Sequence, residues 1–295
     1  NCVYSRNRQG TQIPGCPPLS GYVLRGLREM ERRRPRVAMC SIAWRERPIQ
    51  EIIPIVAAAG YEGIEIWEPH IARYLGEGSS LEELKRLLDK AGLAVPMVSP
   101  YSNFTQDWEG SLAQGERSIG YAAALGAPLV RVFMRGGGSA EADHDRWALE
   151  VRGLQALCDL AAAKGVELAV ETHDGTLHDT TSTTLRLILQ AGKPNLGINL
   201  DIYNLFRVGE DPIMALRRLM PWIKIMHLKN GGYVDGKHQN GFPLAEGLMD
   251  YALFLREVRR LNYGGYASIE WFGTDPAAAA KTELAYLRRF WGEDR

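Results

Sequence analysis

The sequence has few cysteines, no net charge and no long apolar run. Its four cysteines among 295 residues are scattered, with neither a CxxC pair nor the spacing of a zinc finger, which favours free thiols in a reducing cytoplasm. The 35 basic and 35 acidic residues balance, so net charge predicts neither nucleic acid nor an anionic membrane as a partner. No apolar run approaches the roughly 20 residues that a membrane-spanning helix needs. We therefore expect a cytoplasmic protein that acts on a small molecule.

The first part of the chain differs in composition from the rest. Residues 1–35 contain several prolines and glycines, followed by a basic stretch from Arg25 to Arg36. They lack the continuous apolar segment of a secretory signal. We interpret residues 1–35 as a flexible basic extension, with a targeting or nucleic-acid-binding role as the alternative. Cys2 and Cys16 could pair within it, although nothing requires them to.

From Arg36 onward, strand-like and helix-like segments alternate. Eight such pairs in about 255 residues are typical of a (β/α)₈ TIM barrel. A doubly wound open sheet is the competing fold, but no GxGxxG turn follows the first strand. We predict a single-domain barrel over residues 36–295. The predicted strands lie at 36–44, 63–67, 94–99, 129–134, 167–172, 196–202, 223–228 and 266–271, and the predicted helices at 48–59, 80–91, 115–125, 143–164, 182–190, 212–219, 251–261 and 276–290.

Four of the predicted strands end on residues that can bind a metal ion, namely Glu171, Asp201, His227 and Glu270. Taken alone, such a carboxylate is usually a helix cap or a surface ion-pair partner, and such a histidine is usually a core residue. Their shared position on four consecutive strands favours a common site, because three neighbouring buried carboxylates are costly without a cation. TIM-barrel active sites lie at these strand ends. The pattern predicts a site for a divalent cation such as Mn²⁺, Mg²⁺, Co²⁺ or Zn²⁺.

Other polar residues near the strand ends are candidates for proton transfer and substrate binding. His173 follows Glu171 by two positions and so points to the same side of an extended strand, where it could transfer a proton or only hydrogen-bond a ligand. Lys229 stands in the same relation to His227 and could stabilise an enolate or carboxylate, or be a solvated loop lysine. Arg131 interrupts an apolar strand and could be an anion clamp or a structural ion-pair partner. Further candidate substrate contacts are Trp67, His70, Tyr101 and Trp271.

The order Glu, Asp, His, Glu on strands five to eight resembles the xylose-isomerase-like TIM barrels, which include sugar isomerases and epimerases. The resemblance runs from about Arg36 to the end of the chain. Locally the sequence is most similar to bacterial 3-dehydroshikimate dehydratases of the petrobactin-pathway type. The stretches that carry this likeness are 61–67 with His70, 171–173, 176–177, 179–180, 198–201, 221–223, 227–230, 243–247 and 268–273.

The resemblance implies metal ligation by the four strand-end residues, a proton-transfer role for His173, and a place in the pocket for Arg131 and Lys229. The sequence departs from the dehydratases at one position. They commonly carry a second catalytic histidine three residues after the ligand aspartate, where this chain has Asn204. Asparagine cannot act as an acid or a base, so either one proton step is handled differently or the substrate is different. We include Asn204 among the candidate substrate contacts.

We therefore expect a metal-dependent lyase, with manganese as the favoured ion, that dehydrates 3-dehydroshikimate to protocatechuate through a metal-stabilised enolate. The first alternative is a ketose epimerase or isomerase that uses Glu171 and Glu270 as its two bases. The second is a barrel that binds a sugar-like ligand without catalysis. Whether the chain forms a homo-oligomer stays open.

Overall fold

Eight parallel strands close into a barrel, as the sequence predicts. The computed structural model describes residues 34–292. The barrel strands are β1 (Arg36–Cys40), β2 (Gly63–Trp67), β3 (Met97–Ser99), β4 (Leu129–Val132), β5 (Glu167–Glu171), β6 (Leu196–Asp201) and β7 (Ile223–Leu228), followed after the hairpin strands β8 (Asn230–Val234) and β9 (Lys237–Phe242) by β10 (Tyr266–Ile269). Consecutive barrel strands pair with each other, and β10 closes the ring against β7 and β1. The predicted (β/α)₈ fold is confirmed.

Ten helices accompany the strands in residues 34–292. They are α1 (Ile49–Ala59), α2 (Glu68–Gly76), α3 (Leu81–Ala91), α4 (Trp108–Leu125), α5 (His144–Ala162), α6 (Thr181–Ala191), α7 (Ile202–Arg207), α8 (Pro212–Leu219), α9 (Tyr251–Arg260) and α10 (Pro276–Trp291). The ends of α3 illustrate how the sequence sets their limits. Ser80 and Glu83 form a reciprocal capping box at its start, and Gly92 ends it in the left-handed conformation.

The inside of the barrel is built in layers. Side chains alternate along a strand, so residues two positions apart share a side. The lower layer is an apolar cluster of Ala38, Met97, Leu129, Ala169, Ile225 and Tyr266. Two residues further along their strands lies a buried layer that is mostly polar, formed by Cys40, Glu65, Ser99, Arg131, Glu171, Asn199, His227 and Ser268. The apolar layer therefore closes the bottom of the barrel, and the polar layer leads to the carboxyl edge of the strands.

The structure contains three elements that the sequence analysis did not predict: α2, α7 and the β8–β9 hairpin. The hairpin turns at Asp235 and Gly236, which both have positive φ. An Asp-Gly pair is the usual sequence of a two-residue hairpin turn, so a signal was present. The predicted strand over 36–44 stops at Cys40, because Ser41–Trp44 turns into a 3₁₀ helix.

The hairpin rests against the loop that follows β10. Gly241 has a φ of 95°, and a Cβ atom at that position would lie 2.3 Å from the backbone nitrogen of Gly273. Only glycine permits this backbone approach. The contact places the hairpin at the carboxyl edge of the barrel strands, where the predicted site residues lie.

Three further predictions concern the N-terminal extension, the cysteines and membrane-spanning helices. The predicted N-terminal extension, apart from its last two residues, lies outside the described residues, as do Cys2 and Cys16. Cys40 and Cys158 are buried free thiols, as expected. Within residues 34–292, no helix combines the length and the apolar character needed to cross a membrane.

Candidate metal centre

The structure brings the four predicted ligand residues together. Glu171, Asp201, His227 and Glu270 are all buried, and each offers one ligand atom within 4.8 Å of the other three. Glu171 and Asp201 end β5 and β6, His227 lies in β7, and Glu270 follows β10 directly. Three carboxylates and one imidazole form a donor set suited to a hard or borderline divalent cation. We call these four residues the carboxylate–histidine ring.

Arg131 holds one member of the ring. Its Nη1 donates to Glu171 Oε2 at 2.8 Å and its Nη2 donates to the carbonyl oxygen of Pro100 at 3.1 Å. Burial would raise the pKa of the Glu171 carboxyl, but the charges of Arg131 and His227 outweigh burial and hold that pKa well below its usual range. Glu171 is therefore ionised inside the barrel.

Lys229 lies among the other two carboxylates. Its Nζ is 2.7 Å from Asp201 Oδ2 and donates to Glu270 Oε2 at 2.9 Å. Burial would lower the pKa of the ammonium group, but the two carboxylates reverse this effect and raise it. Lys229 thus supplies part of the positive charge that balances the ring.

His227 faces a carboxylate on each side of its ring. Its Nδ1 lies 3.3 Å from Glu171 Oε1, and its Nε2 lies 2.9 Å from Glu65 Oε2. Burial would lower the pKa of the imidazole, but the Glu65 and Glu171 charges raise it well above its ordinary value. For Glu65, burial works to raise the pKa, yet the His227 charge and hydrogen bond outweigh burial, so the pKa is lowered. Nδ1 is the imidazole atom that faces the ring.

The sequence analysis missed Glu65. It is fully buried in β2 and receives a hydrogen bond from Ser99 Oγ at 2.5 Å. A signal was present, because Glu65 is a single charge inside the otherwise apolar run Gly63–Trp67. The same reasoning singled out Arg131 in β4.

His173 lies beyond the ring with its side chain 30% exposed. Its Nδ1 is 2.6 Å from the carbonyl oxygen of Asp174. A carbonyl oxygen only accepts hydrogen bonds, so Nδ1 carries the hydrogen and the neutral ring keeps its lone pair on Nε2. The ring also meets the edge of Phe133, with centroids 4.7 Å apart. This arrangement leaves Nε2 available to accept a proton.

Two predicted substrate contacts lie among aromatic and cationic side chains at the rim. Tyr101 has the guanidinium groups of Arg131 and Arg135 over its ring, at 4.7 and 4.6 Å from the centroid. Trp271 borders a cavity with Arg45 and Phe272. Trp67 is half-buried at the end of β2, and its indole nitrogen has no hydrogen-bond partner in residues 34–292.

His70, a predicted substrate contact, bonds to the protein through both ring nitrogens. The residue is buried, with Nδ1 2.9 Å from Ser41 Oγ and Nε2 3.1 Å from the Trp44 carbonyl oxygen. Both ring nitrogens are therefore engaged in tying α2 to the 3₁₀ turn after β1. No ring nitrogen is left for a ligand.

Asn204 is also engaged by the protein. Its side-chain Nδ2 donates to the carbonyl oxygen of Thr172 at 3.0 Å, and its backbone N–H donates to Asp201 Oδ1 at 3.1 Å. Asn204 is 1% exposed. The backbone of Asn204 therefore holds the Asp201 side chain, and the Asn204 side chain is bonded to Thr172.

The closed barrel and the ring at its carboxyl edge define the class of protein. A model of the xylose isomerase-like TIM barrel family matches residues 53–290, and the chain belongs to that family. The predicted family is confirmed.

Two related sequences and one solved structure are similar to most of this chain. Over 272 residues the chain is 30% identical to a 3-dehydroshikimate dehydratase of Bacillus anthracis, covering 85% of this chain and 96% of the relative. It is 28% identical over 250 residues to a 3-dehydroshikimate dehydratase of Pseudomonas putida, covering 80% of this chain but 38% of that longer protein. The crystal structure of the probable 3-DHS dehydratase AsbF from Bacillus anthracis superposes with a TM-score of 0.77 at 28% identity, covering 85% of this chain and 98% of AsbF.

Proposed function

We propose that this chain is a divalent-metal-dependent dehydratase that converts 3-dehydroshikimate to protocatechuate. The observation that carries the proposal is the buried carboxylate–histidine ring, with His173 two residues beyond Glu171 and its Nδ1 bonded to the Asp174 carbonyl oxygen. The two dehydratase relatives support the choice of substrate. We further propose manganese as the metal, since the ring is rich in carboxylates, and the cytoplasm as the location, in keeping with the free thiols of Cys40 and Cys158.

The carboxylate–histidine ring would hold the metal through one atom of each residue. A divalent cation held there would supply Lewis-acid stabilisation of the negative charge that develops on the carbonyl oxygen of the substrate. Arg131 keeps Glu171 in place and ionised. Thr172 fixes the backbone of Asp201, because the Asp201 N–H donates to Thr172 Oγ1 at 2.9 Å. Asn204 fixes the Asp201 side chain through its own backbone N–H.

His173 is the proton carrier of the proposed reaction. Its Nε2 removes the proton from the carbon next to the substrate carbonyl, while the Asp174 carbonyl fixes the tautomer and orientation of the ring. The imidazolium that forms then protonates the departing hydroxyl group, so that one water molecule leaves. The remaining dienone becomes protocatechuate by losing a ring proton and gaining one on its carbonyl oxygen. One carrier would serve the elimination, so that step requires no acid or base at position 204.

Lys229 and Arg131 are the two candidates to meet the carboxylate of the substrate. Arg131 uses one N–H of each terminal nitrogen on a protein partner, and its Nε has no partner among residues 34–292. The Lys229 ammonium has three N–H donors and two carboxylate partners, which leaves one donor. The Lys229 Nζ also lies 5.6 Å from the centre of the ring of Phe272, a residue that borders the same cavity as Trp271.

A ketose epimerase remains the second candidate. Its two-base mechanism would use Glu171 and Glu270 to exchange protons with the substrate. In this structure each glutamate forms an ion pair with a basic side chain. Glu171 pairs with Arg131, and Glu270 pairs with Lys229. The charge of Arg131 lowers the pKa of Glu171, which opposes proton uptake by that carboxylate. We therefore favour the dehydratase over the epimerase.

The test is to incubate Mn²⁺-loaded protein with 3-dehydroshikimate and to follow the ultraviolet absorbance of protocatechuate. We expect product formation by the wild-type chain and none by Glu171→Ala. Absence of product, together with epimerisation of a sugar in a ketose panel, would establish the epimerase instead. Turnover of neither substrate class would contradict both enzyme proposals.

A further inference from the structure

We propose that Glu65 is a positioning residue for the metal centre, which holds the His227 imidazole through Nε2 so that Nδ1 points into the carboxylate–histidine ring. This inference rests on the proposed function in one respect: the ring must bind a divalent cation. It concerns a residue outside the ring, on the opposite side of the imidazole.

The contact between Glu65 and His227 spans the interior of the barrel. His227 Nε2 lies 2.9 and 3.1 Å from the two carboxylate oxygens of Glu65. Both side chains are fully buried. Glu65 belongs to β2, whose neighbours are β1 and β3, whereas His227 belongs to β7. The hydrogen bond therefore joins two strands that do not pair, and it fixes the imidazole against the far wall.

The chemistry of imidazole gives this contact a consequence for metal binding. A carboxylate only accepts hydrogen bonds, so the nitrogen facing Glu65 carries the hydrogen. Nδ1 faces Glu171 and Glu270, at 3.3 and 3.9 Å, so without a metal it also carries a hydrogen. A cation held by the ring would replace that hydrogen and take the lone pair of Nδ1, while Glu65 keeps the hydrogen on Nε2. Metal-binding histidines commonly donate their other N–H to a carboxylate, which orients the ring and increases its basicity.

Glu65 is itself held in place. Ser99 Oγ on the adjacent strand β3 donates to Glu65 Oε1. Ser99 and Glu65 both belong to the polar layer of the barrel, where neither side chain reaches solvent. The chain of contacts from Ser99 through Glu65 to His227 therefore has little freedom to rotate.

The proposal is tested by calorimetric titration of Mn²⁺ into the metal-depleted full-length chain. We expect Glu65→Leu to weaken Mn²⁺ affinity about 100-fold and Glu65→Gln about 10-fold, the range found for residues that orient metal ligands. Glutamine does less damage because its amide oxygen still accepts the hydrogen of Nε2. The matched control is Glu150→Gln, the same change at another fully buried carboxylate, which is bonded to Arg146. It should leave the affinity unchanged.

The outcomes separate this inference from the proposed function. Wild-type affinity in a folded Glu65→Gln and a folded Glu65→Leu variant would overturn the role of Glu65 while the metal site stands. A wild-type chain that binds none of Mn²⁺, Mg²⁺, Co²⁺ and Zn²⁺ would overturn both. If the Glu65 variants fail to fold by circular dichroism, Ser99→Ala decides: weakened Mn²⁺ affinity supports the proposal, and unchanged affinity contradicts it.

A spectroscopic readout distinguishes positioning from a general effect on stability. In the Zn²⁺-loaded wild-type chain, ¹⁵N chemical shifts should show His227 with a protonated Nε2 and a metal-bound Nδ1. The opposite assignment would overturn the proposal even if the Glu65 variants bind metal weakly.

Discussion

Arg131 and Glu171 form a buried ion pair on the neighbouring strands β4 and β5, with the guanidinium Nη1 2.8 Å from the carboxylate Oε2. Their side chains are only 2% and 1% exposed. Moving two charges out of water is costly, and their attraction roughly offsets that cost. The pair therefore adds little net stability. Its role is in the site, where Arg131 favours the ionised form of Glu171 beside two other carboxylates.

Removal of one partner from this pair should be strongly destabilising. Arg131→Met leaves the Glu171 carboxylate buried without its cation, and we expect the free energy of unfolding to fall by about 3–5 kcal/mol. Urea unfolding followed by circular dichroism measures the change. The matched control is Arg135→Met, an exposed arginine over the same Tyr101 ring, which should change stability by less than about 0.5 kcal/mol. Equal losses in the two variants would contradict this account.

Chelation of the metal should lower both activity and stability. A cation bound to the carboxylate–histidine ring neutralises buried carboxylates in the folded chain, and at 100 times its dissociation constant it adds about 2.7 kcal/mol to the free energy of unfolding. We expect EDTA to abolish turnover and to lower the melting temperature, and Mn²⁺ to restore both. In Glu270→Gln the Mn²⁺-dependent shift of the melting temperature should shrink. The same shift in this variant and in the wild type would rule out Glu270 as a ligand.

The ring could be predicted from the sequence because its members obey a local rule. Each lies at the end of an apolar strand, and parallel strands of a barrel bring such ends to one edge. The role of Glu65 could not be predicted in the same way, because its partner His227 is 162 positions away and on a strand that does not pair with β2. The hydrogen bonds of His70 could not be predicted for a related reason: its partners, Ser41 and the Trp44 carbonyl, come together only through the 3₁₀ turn after β1.

Loss of His173 should remove catalysis and leave metal binding intact. Proton transfer by a positioned side chain typically contributes 10²–10⁴-fold to the rate, so His173→Gln should lower kcat for 3-dehydroshikimate by about that factor. Mn²⁺ affinity should stay at the wild-type value, because His173 is outside the ring. His144→Gln is the control, since this histidine is 92% exposed at the start of α5. Activity of the His173 variant within about twofold of wild type would exclude His173 as the proton carrier.

Glu283 in α10 should make the stability of the barrel depend on pH. Its side chain is buried and accepts a hydrogen bond from the Leu244 backbone nitrogen at 3.2 Å. Burial raises the pKa of the carboxyl from 4.5 to about 7, and the nearby charge of Glu246 adds to the increase. Between pH 4.5 and about 7 the folded chain retains a proton that the unfolded chain releases. The free energy of unfolding should therefore fall as pH rises through this window and stay lower above it.

The contribution of Glu283 is measured by urea unfolding at pH 5 and pH 8. At about 1.4 kcal/mol per pKa unit, the Glu283 carboxyl accounts for about 3 kcal/mol of the wild-type decrease between these two values. Glutamine is neutral at both, so Glu283→Gln should show a decrease that is smaller by about this amount. Glu82→Gln, the same change at an exposed position on α3, should retain the full wild-type decrease. An equal decrease in Glu283→Gln and the wild type would show that Glu283 does not titrate in this window.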